Sequence, residues 1–249
     1  MKFIKDSFIV NDYVKLAIVD KRITPTMEKN LRARGIDLIK TIGCENSYDA
    51  IKFHPDISIF KLNDENIVVS PDVYDYYNDK LKKYNFNVIK GNLPIESKYP
   101  NNIQYNVCLF GKYAIHNFDY TDKNILKYIK ENNLTMINVN QGYTKCSVCI
   151  VDENSIITSD EGIYKEVIKH NIDCLLISKG NIDLFNMNYG FIGGCSGLIS
   201  HKELAFYGNI KLHPDYDKIY DFVKSKNKEI ISLSDEKLLD LGSLIPIMY

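Results

Sequence analysis

The sequence predicts an α/β protein in which five ββαβ units stand around a pseudo-five-fold axis. The first observation behind this is an internal match. "LNDENIVVSPDVYDYYNDKLKKYNFNVIKG" (62–91) and "VDENSIITSDEGIYKEVIKHNIDCLLISKG" (151–180) both open on a polar Asp-Glu-Asn turn. Both run through a short β-branched stretch ("IVVS", "IITS") into a helical pattern, and both close on an apolar strand ending in Gly. The second observation is that three more segments, 19–43, 111–142 and 201–234, fit the strand–helix–strand part of that pattern. A lone unit cannot cover both faces of its sheet. Units stacked about an axis can, and they leave few exposed edges. Units of about 35 to 50 residues suit five repeats in this chain. The competing architecture is an ordinary α/β sheet whose alternation only looks periodic.

Each element can be justified in chain order. Residues 19–43 offer a short strand, a helix and the apolar run "IDLIKTI". "HPDISIF" (54–60) reads as the head of a strand, with Ile57 and Ile59 on one face and Ser58 and Phe60 on the other. The segments 62–91 and 151–180 supply full units. "LTMINVN" and "KEIISL" close the units 111–142 and 201–234. The last stretch, "KLLDLGSLIPIMY" (237–249), is one more strand, available to complete the first unit.

The 249 residues are expected to form a single domain, 1–249, with a sizeable core. Hydrophobic residues at 45% and charged ones at 25% are ordinary for a globular protein. A net charge of −1 argues against nucleic acid as a partner. No apolar run approaches the roughly 20 residues that a membrane helix needs. The N-terminal stretch lacks the pattern of a signal peptide, so a cytoplasmic protein without membrane contact is expected. Self-association into a homo-oligomer is left open.

The six cysteines (Cys44, Cys108, Cys146, Cys149, Cys174, Cys195) are then reduced thiols, mostly small buried apolar residues. Cys146 and Cys149 form a lone C-x-x-C. With no second pair and no nearby histidine pair, the spacing argues against zinc. Its run into a strand-like stretch argues against redox chemistry. No metal and no organic cofactor is implied.

The tripeptide His-Pro-Asp occurs twice. At 213–215 it precedes "YDKIYDFVK", where Ile219, Phe222 and Val223 have helical spacing. Pro214 and Asp215 suit a helical first turn there, so His213 reads as structural. At 54–56 it heads the apolar run, which makes His54 the candidate. Two cysteines compete as nucleophiles: Cys146 in "QGYTKCSVCIV" and Cys195 in "GFIGGCSGLI", whose glycines allow close backbone approach. Packing is the plain alternative for both.

Five ββαβ units about an axis resemble the pentein, or guanidino-group-modifying, superfamily of deiminases, dimethylargininases and amidinotransferases. His54, Asp56 and Phe60 match that family's H-x-D segment and its following aromatic position. Cys146 matches its Gly-led cysteine before an apolar strand. The closer resemblance, over the full length, is to an uncharacterised clostridial family assigned the same fold, which implies a fold and no reaction. The order of histidine and cysteine would be circularly permuted relative to the enzymes. The family's E-G-G-D pattern is missing, since "IGGCSG" carries no acid.

The resemblance implies a cysteine-dependent hydrolase or amidinotransferase acting on a small guanidine or amidine. A thiolate attacks the central carbon of the planar cation. Carboxylates grip its N–H groups, and a histidine moves protons. On this reading Cys146 and His54 are catalytic, and Asp56 and Asp240 hold the substrate. The alternative from another class is a non-catalytic, small-ligand-binding protein on the same fold.

Overall fold

A computed structural model describes all 249 residues. β1 (Leu16–Val19), α1 (Pro25–Ala33) and β2 (Asp37–Lys40) come first. A single helical turn, α2 (Pro55–Ser58), leads into β3 (Ile59–Asn63), β4 (Asn66–Val69), α3 (Tyr74–Lys82) and β5 (Asn87–Lys90). The next unit is β6 (Cys108–Phe110), β7 (Tyr113–His116), α4 (Lys123–Glu131) and β8 (Thr135–Asn138). A second lone turn, α5 (Thr144–Ser147), leads into β9 (Val148–Ile150), β10 (Ser155–Thr158), α6 (Glu161–Val167) and β11 (Asp173–Leu176). β12 (Ser196–Leu198), β13 (Glu203–Phe206), α7 (Tyr216–Ser225) and β14 (Glu229–Ser232) follow, and β15 (Ile245–Met248) ends the chain.

These strands form five three-stranded sheets. In each, the middle strand pairs antiparallel with an inner strand and parallel with an outer one. β4, for instance, lies between β3 and β5. The helix crosses over between the two parallel strands, as parallel pairing requires. The first sheet is completed from the far end of the chain, where β15 pairs antiparallel with β1. β12 packs against both β9 and β15. The expected five-unit α/β architecture is therefore the one observed.

The helix ends explain why the repeat is regular. After α1, α3, α4, α6 and α7 the chain turns through a left-handed residue, Gly35, Asn85, Asn133, Asn171 or Asn227. Gly and Asn are the residues that reach this region most easily. The next N–H then reaches back to a helix carbonyl, as Ile36 does to Leu31, Leu134 to Ile129 and Ile172 to Val167. This is the six-to-one bond of a Schellman cap. One residue further on, Asp37, Asn87, Thr135, Asp173 and Glu229 each donate to the residue just ahead of the middle strand. The cap thus sets the register of the parallel pair. Each helix presents an i, i+4 buried pair to its sheet: Met27/Leu31, Tyr77/Leu81, Ile125/Ile129, Ile163/Val167 and Ile219/Val223. Buried apolar side chains from all five units join in one contiguous cluster. No helix is long and apolar enough to cross a membrane.

Three local expectations are corrected. Strand structure begins at Ile59, not at His54. Ile57, Ser58, Ile59 and Phe60 are all buried, so the alternation there did not report a two-faced strand. Pro55 stands at N1 of α2, where its fixed φ and missing N–H favour a turn. At the second copy, α7 starts at Tyr216, with Pro214 and Asp215 just ahead of it.

Candidate active site

The two lone turns, α2 and α5, each precede an inner strand, and they bring His54 and Cys146 to one place. α5 is tied down from the β6 side. Asn106 Oδ1 accepts from the backbone N–H of Lys145 (2.9 Å) and of Cys146 (3.2 Å). Thr144 Oγ1 lies against the carbonyls of Asn106 and Ile115. α2 is held by the segment before β15, where Asp56 N–H donates to the Gly242 carbonyl at 3.3 Å. Gly242 has φ +69°, and a Cβ there would stand 2.2 Å from His54 Cβ.

Asp240 lies ahead of β15, not within it, and its backbone N–H bonds to Asp183 O at 2.8 Å. Its carboxylate accepts from the N–H of Gly242 (3.0 Å) and of Phe191 (2.8 Å). It also explains one glycine of "IGGCSG", and the backbone of α5 explains another. A Cβ on Gly194 would come within 1.9 Å of Asp240 Oδ1, and one on Gly193 within 2.3 Å of the Lys145 carbonyl. That segment carries no acid of its own, but Asp240 is packed against it.

One ligand atom from each of His54, Cys146 and Asp240 lies within 4.8 Å of the other two. All three line a cavity of about 240 Å³, whose walls are mainly apolar and aromatic and include Tyr48, Tyr143, Leu184 and Phe191. Tyr143 is fixed by Tyr48 (3.1 Å between hydroxyls) and by Asn102 (2.9 Å). Cys195 does not line the cavity. It is fully buried, with its Sγ donating to the Ile192 carbonyl.

Asp56 is also placed differently from the expectation that it faces the ligand. It is absent from the cavity wall and buried behind Cys146. Its oxygens lie 3.1 and 3.2 Å from Cys146 Sγ and 2.7 Å from Ser243 Oγ. The buried Lys145 donates to the same Ser243 hydroxyl at 2.9 Å. The carboxylate is drawn inward by this hydroxyl and by the cation behind it. Asn106, Lys145 and Ser243 were not singled out from the sequence. Lys145 adjoins Cys146, but nothing local marks its ammonium as buried.

The electrostatics follow from burial. Burial pushes the Cys146 thiol well above its ordinary range, and the Asp56 charge pushes it further. Asp56 is itself raised by burial, against the opposing pull of Lys145 and Ser243. Burial lowers His54 to about 3, with the nearby Arg22 charge adding to the effect. Burial raises Asp240 to about 7, against its two backbone hydrogen bonds. At neutral pH the 3.8 Å approach of His54 Nδ1 to Asp240 Oδ1 is thus a contact with a neutral imidazole, not an ion pair. Neither ring nitrogen of His54 makes a well-formed hydrogen bond, and the backbone of Asp240 is the polar group that faces it. The second histidine, His213, is buried elsewhere and takes no part in the cavity.

Comparison with solved structures identifies the fold. The amidinotransferase SxtG from Microseira wollei, of the saxitoxin biosynthetic pathway, has a TM-score of 0.58 at 12% identity, over 92% of this chain and 91% of that one. The inosamine-phosphate amidinotransferase StrB1 from Streptomyces griseus has 0.58 at 8%, over 98% and 97%. The agmatine deiminase of C. jejuni has 0.54 at 11%, over 93% and 91%. The protein therefore has the pentein fold. No curated protein matches the sequence. Within that fold the chain belongs to DUF6873, a family of unknown function, whose model matches residues 18–245.

Proposed function

We propose that the cavity binds a small guanidinium or amidinium cation and that Cys146 attacks its central carbon. The observation that carries this reading is the convergence of Cys146, His54 and Asp240 from three distant segments on one cavity. Each Asp240 oxygen accepts a single backbone bond and keeps a free lone pair for a ligand N–H. A cation there also gains from the aromatic walls.

In the free protein Cys146 is held as a thiol. A bound cation beside it favours the thiolate, by the same rule that Asp56 opposes it. The proton passes to the imidazole of His54. The Sγ–C bond forms, and the C–N bond to the departing amine breaks as His54 returns the proton. Water then releases the thiouronium group for hydrolysis, or an amine takes it for transfer. The second clamp role first expected of Asp56 passes to a supporting one: it positions Sγ from behind.

A panel of guanidines and amidines tests this. A substrate leaves a covalent adduct on the Cys146 peptide by mass spectrometry and releases ammonia or amine. Cys146→Ser keeps binding, read by thermal shift, and loses release. The reading fails if no member of the panel binds, or if release survives Cys146→Ser. The second reading, binding without turnover, is favoured by the thiol's contact with the Asp56 carboxylate. Under it Cys146 resists alkylation near neutral pH even with the ligand bound.

A further inference from the structure

We infer that the cavity selects a guanidine or amidine whose other end is an uncharged aryl or alkyl group, and turns away one that ends in an anionic group such as a carboxylate. The inference rests on the reading of Asp240 as the partner of the bound cation, and it adds the chemistry of the tail.

Much of the apolar wall comes from one loop. Leu184, Met187, Asn188, Tyr189 and Phe191 all line the cavity and all lie between β11 and β12. The base of this loop is tied to the segment that carries Asp240. Asp183 N–H donates to the Leu238 carbonyl and Gly190 N–H to the Ile182 carbonyl, each at 2.8 Å. Gly190 keeps the closure tight, because a Cβ there would come within 2.4 Å of Asp240 Cβ. The partner of the cation and the wall for its tail are therefore held together.

Charge is the first argument. No lysine or arginine lines the cavity, and Asp240 is its one carboxylate. The neighbouring cations are already engaged. Arg22 gives its guanidinium to the buried Asp20 and to the carbonyls of Asp49 and Ala50, with the Phe185 ring over its face. Lys145 is buried off the cavity and donates to Ser243. The tyrosine hydroxyls offer no substitute. Tyr143 donates to Asn102, which leaves Tyr48 to donate to Tyr143, so both protons are taken. Asn188 and Tyr189 remain as neutral donors. A carboxylate tail would thus lose its water beside Asp240 with no counter-charge, which is costly.

Size and rim are the second argument. An apolar cavity of about 150 Å³ takes a benzene ring. The cavity here, about 240 Å³, takes a ring with an amidinium, or a short alkyl chain with a guanidinium. Met187 and Tyr189 are 53% and 42% exposed although both line it, so its mouth has an apolar rim. Exposed apolar side chains gathered at a pocket mark a surface that a ligand covers. Each tail methylene buried there strengthens binding about fourfold.

The experiment is calorimetric titration of the wild-type protein with two pairs of compounds of nearly equal size. para-Methylbenzamidine binds roughly tenfold or more tighter than para-carboxybenzamidine, and n-butylguanidine exceeds γ-guanidinobutyrate by a similar factor. Met187→Lys sets a cation on the rim, at a half-exposed position that the fold tolerates, and narrows both gaps about threefold. para-Methylbenzamide, an uncharged isostere, separates this inference from the reading beneath it. If it binds as tightly as para-methylbenzamidine, the cation reading of Asp240 falls, and this inference with it. If either carboxylated compound binds as tightly as its neutral-tailed partner, or if Met187→Lys leaves both gaps unchanged, the tail inference is overturned and the cation reading stands. Absence of binding by every compound overturns both.

Discussion

In His54-Pro55-Asp56 the chain makes one helical turn and enters an inner strand. In His213-Pro214-Asp215 it leaves a short 3₁₀ turn and enters the ten-residue helix α7. Both histidines are buried, at 1% and 3% exposure, and burial lowers the pKa of both. His213 Nδ1 accepts from the backbone N–H of its own Asp215, a local bond that closes the turn. His54 makes no such bond and opens on a cavity. The aspartates diverge further. Asp215 bonds to Lys218 and Ser178 near the surface, and these partners lower its pKa. Asp56 is buried behind a thiol, and burial raises its pKa. Identical tripeptides thus acquire opposite electrostatics from what packs on them, so a short motif reports chemistry only through its surroundings.

The largest expected contrast is between the two aspartates. Asp56→Ala leaves the buried Lys145 charge without its counter-charge and is expected to destabilise by about 3–5 kcal/mol. Asp215→Ala removes hydrogen bonds near the surface and is expected to cost about 1 kcal/mol. Urea unfolding at neutral pH measures both. Equal losses would mean that the chain from Asp56 through Ser243 to Lys145 does not hold the site together.

A smaller contrast separates two glycines with positive φ. Gly242→Ala drives a Cβ into His54 and is expected to cost roughly 2–4 kcal/mol. Gly180, at φ +85°, has nothing within 4 Å of the same position, so Gly180→Ala is expected to cost only the left-handed penalty of roughly 1–2 kcal/mol. Thermal melts of the two variants rank them. A reversed order would place His54 elsewhere.

The smallest effect is a change of slope with pH. Asp240 is raised to about 7, so between about 4 and 7 the folded state holds a proton that the unfolded chain has lost, and stability falls as pH rises. His54 is lowered to about 3, so between about 3 and 6.5 the unfolded chain holds the extra proton, and stability rises with pH. The two oppose one another over most of this range. Asp240→Asn should therefore tilt the curve upward with pH, and His54→Gln should tilt it downward. Each tilt is at most about 1.4 kcal/mol per pH unit. Urea midpoints from pH 4 to 7 read the slopes. Parallel curves for the two variants would show that neither group is shifted as described.

The five units were legible because each repeats a local pattern. A helix with an i, i+4 apolar pair, a turn and an apolar strand are short-range features, and physics at that range is written in neighbouring residues. The left-handed cap was equally local but unread: Asn85, Asn133, Asn171 and Asn227 hold one position in four units, and Gly35 holds it in the fifth. The inner strands β6 and β12 are three residues each, as is β9, and only β9 was read, because its apolar run overlaps the C-x-x-C that draws the eye to it.

The site divided along the same line. Sequence alone placed His54 ahead of an inner strand and Cys146 ahead of another, because a histidine or cysteine before an apolar run is visible locally. It could not choose between Cys146 and Cys195, nor show which way Asp56 turns. Those outcomes depend on Asn106, Lys145, Gly194 and Ser243, which reach the site across 40 to 187 positions of sequence separation. Cysteine spacing likewise picks out only Cys146 and Cys149, whereas the three side chains that converge on the cavity come from residues 54, 146 and 240. Local propensity fixed the repeating unit of this protein. Packing of the units fixed the direction of each polar side chain and, through burial, its charge.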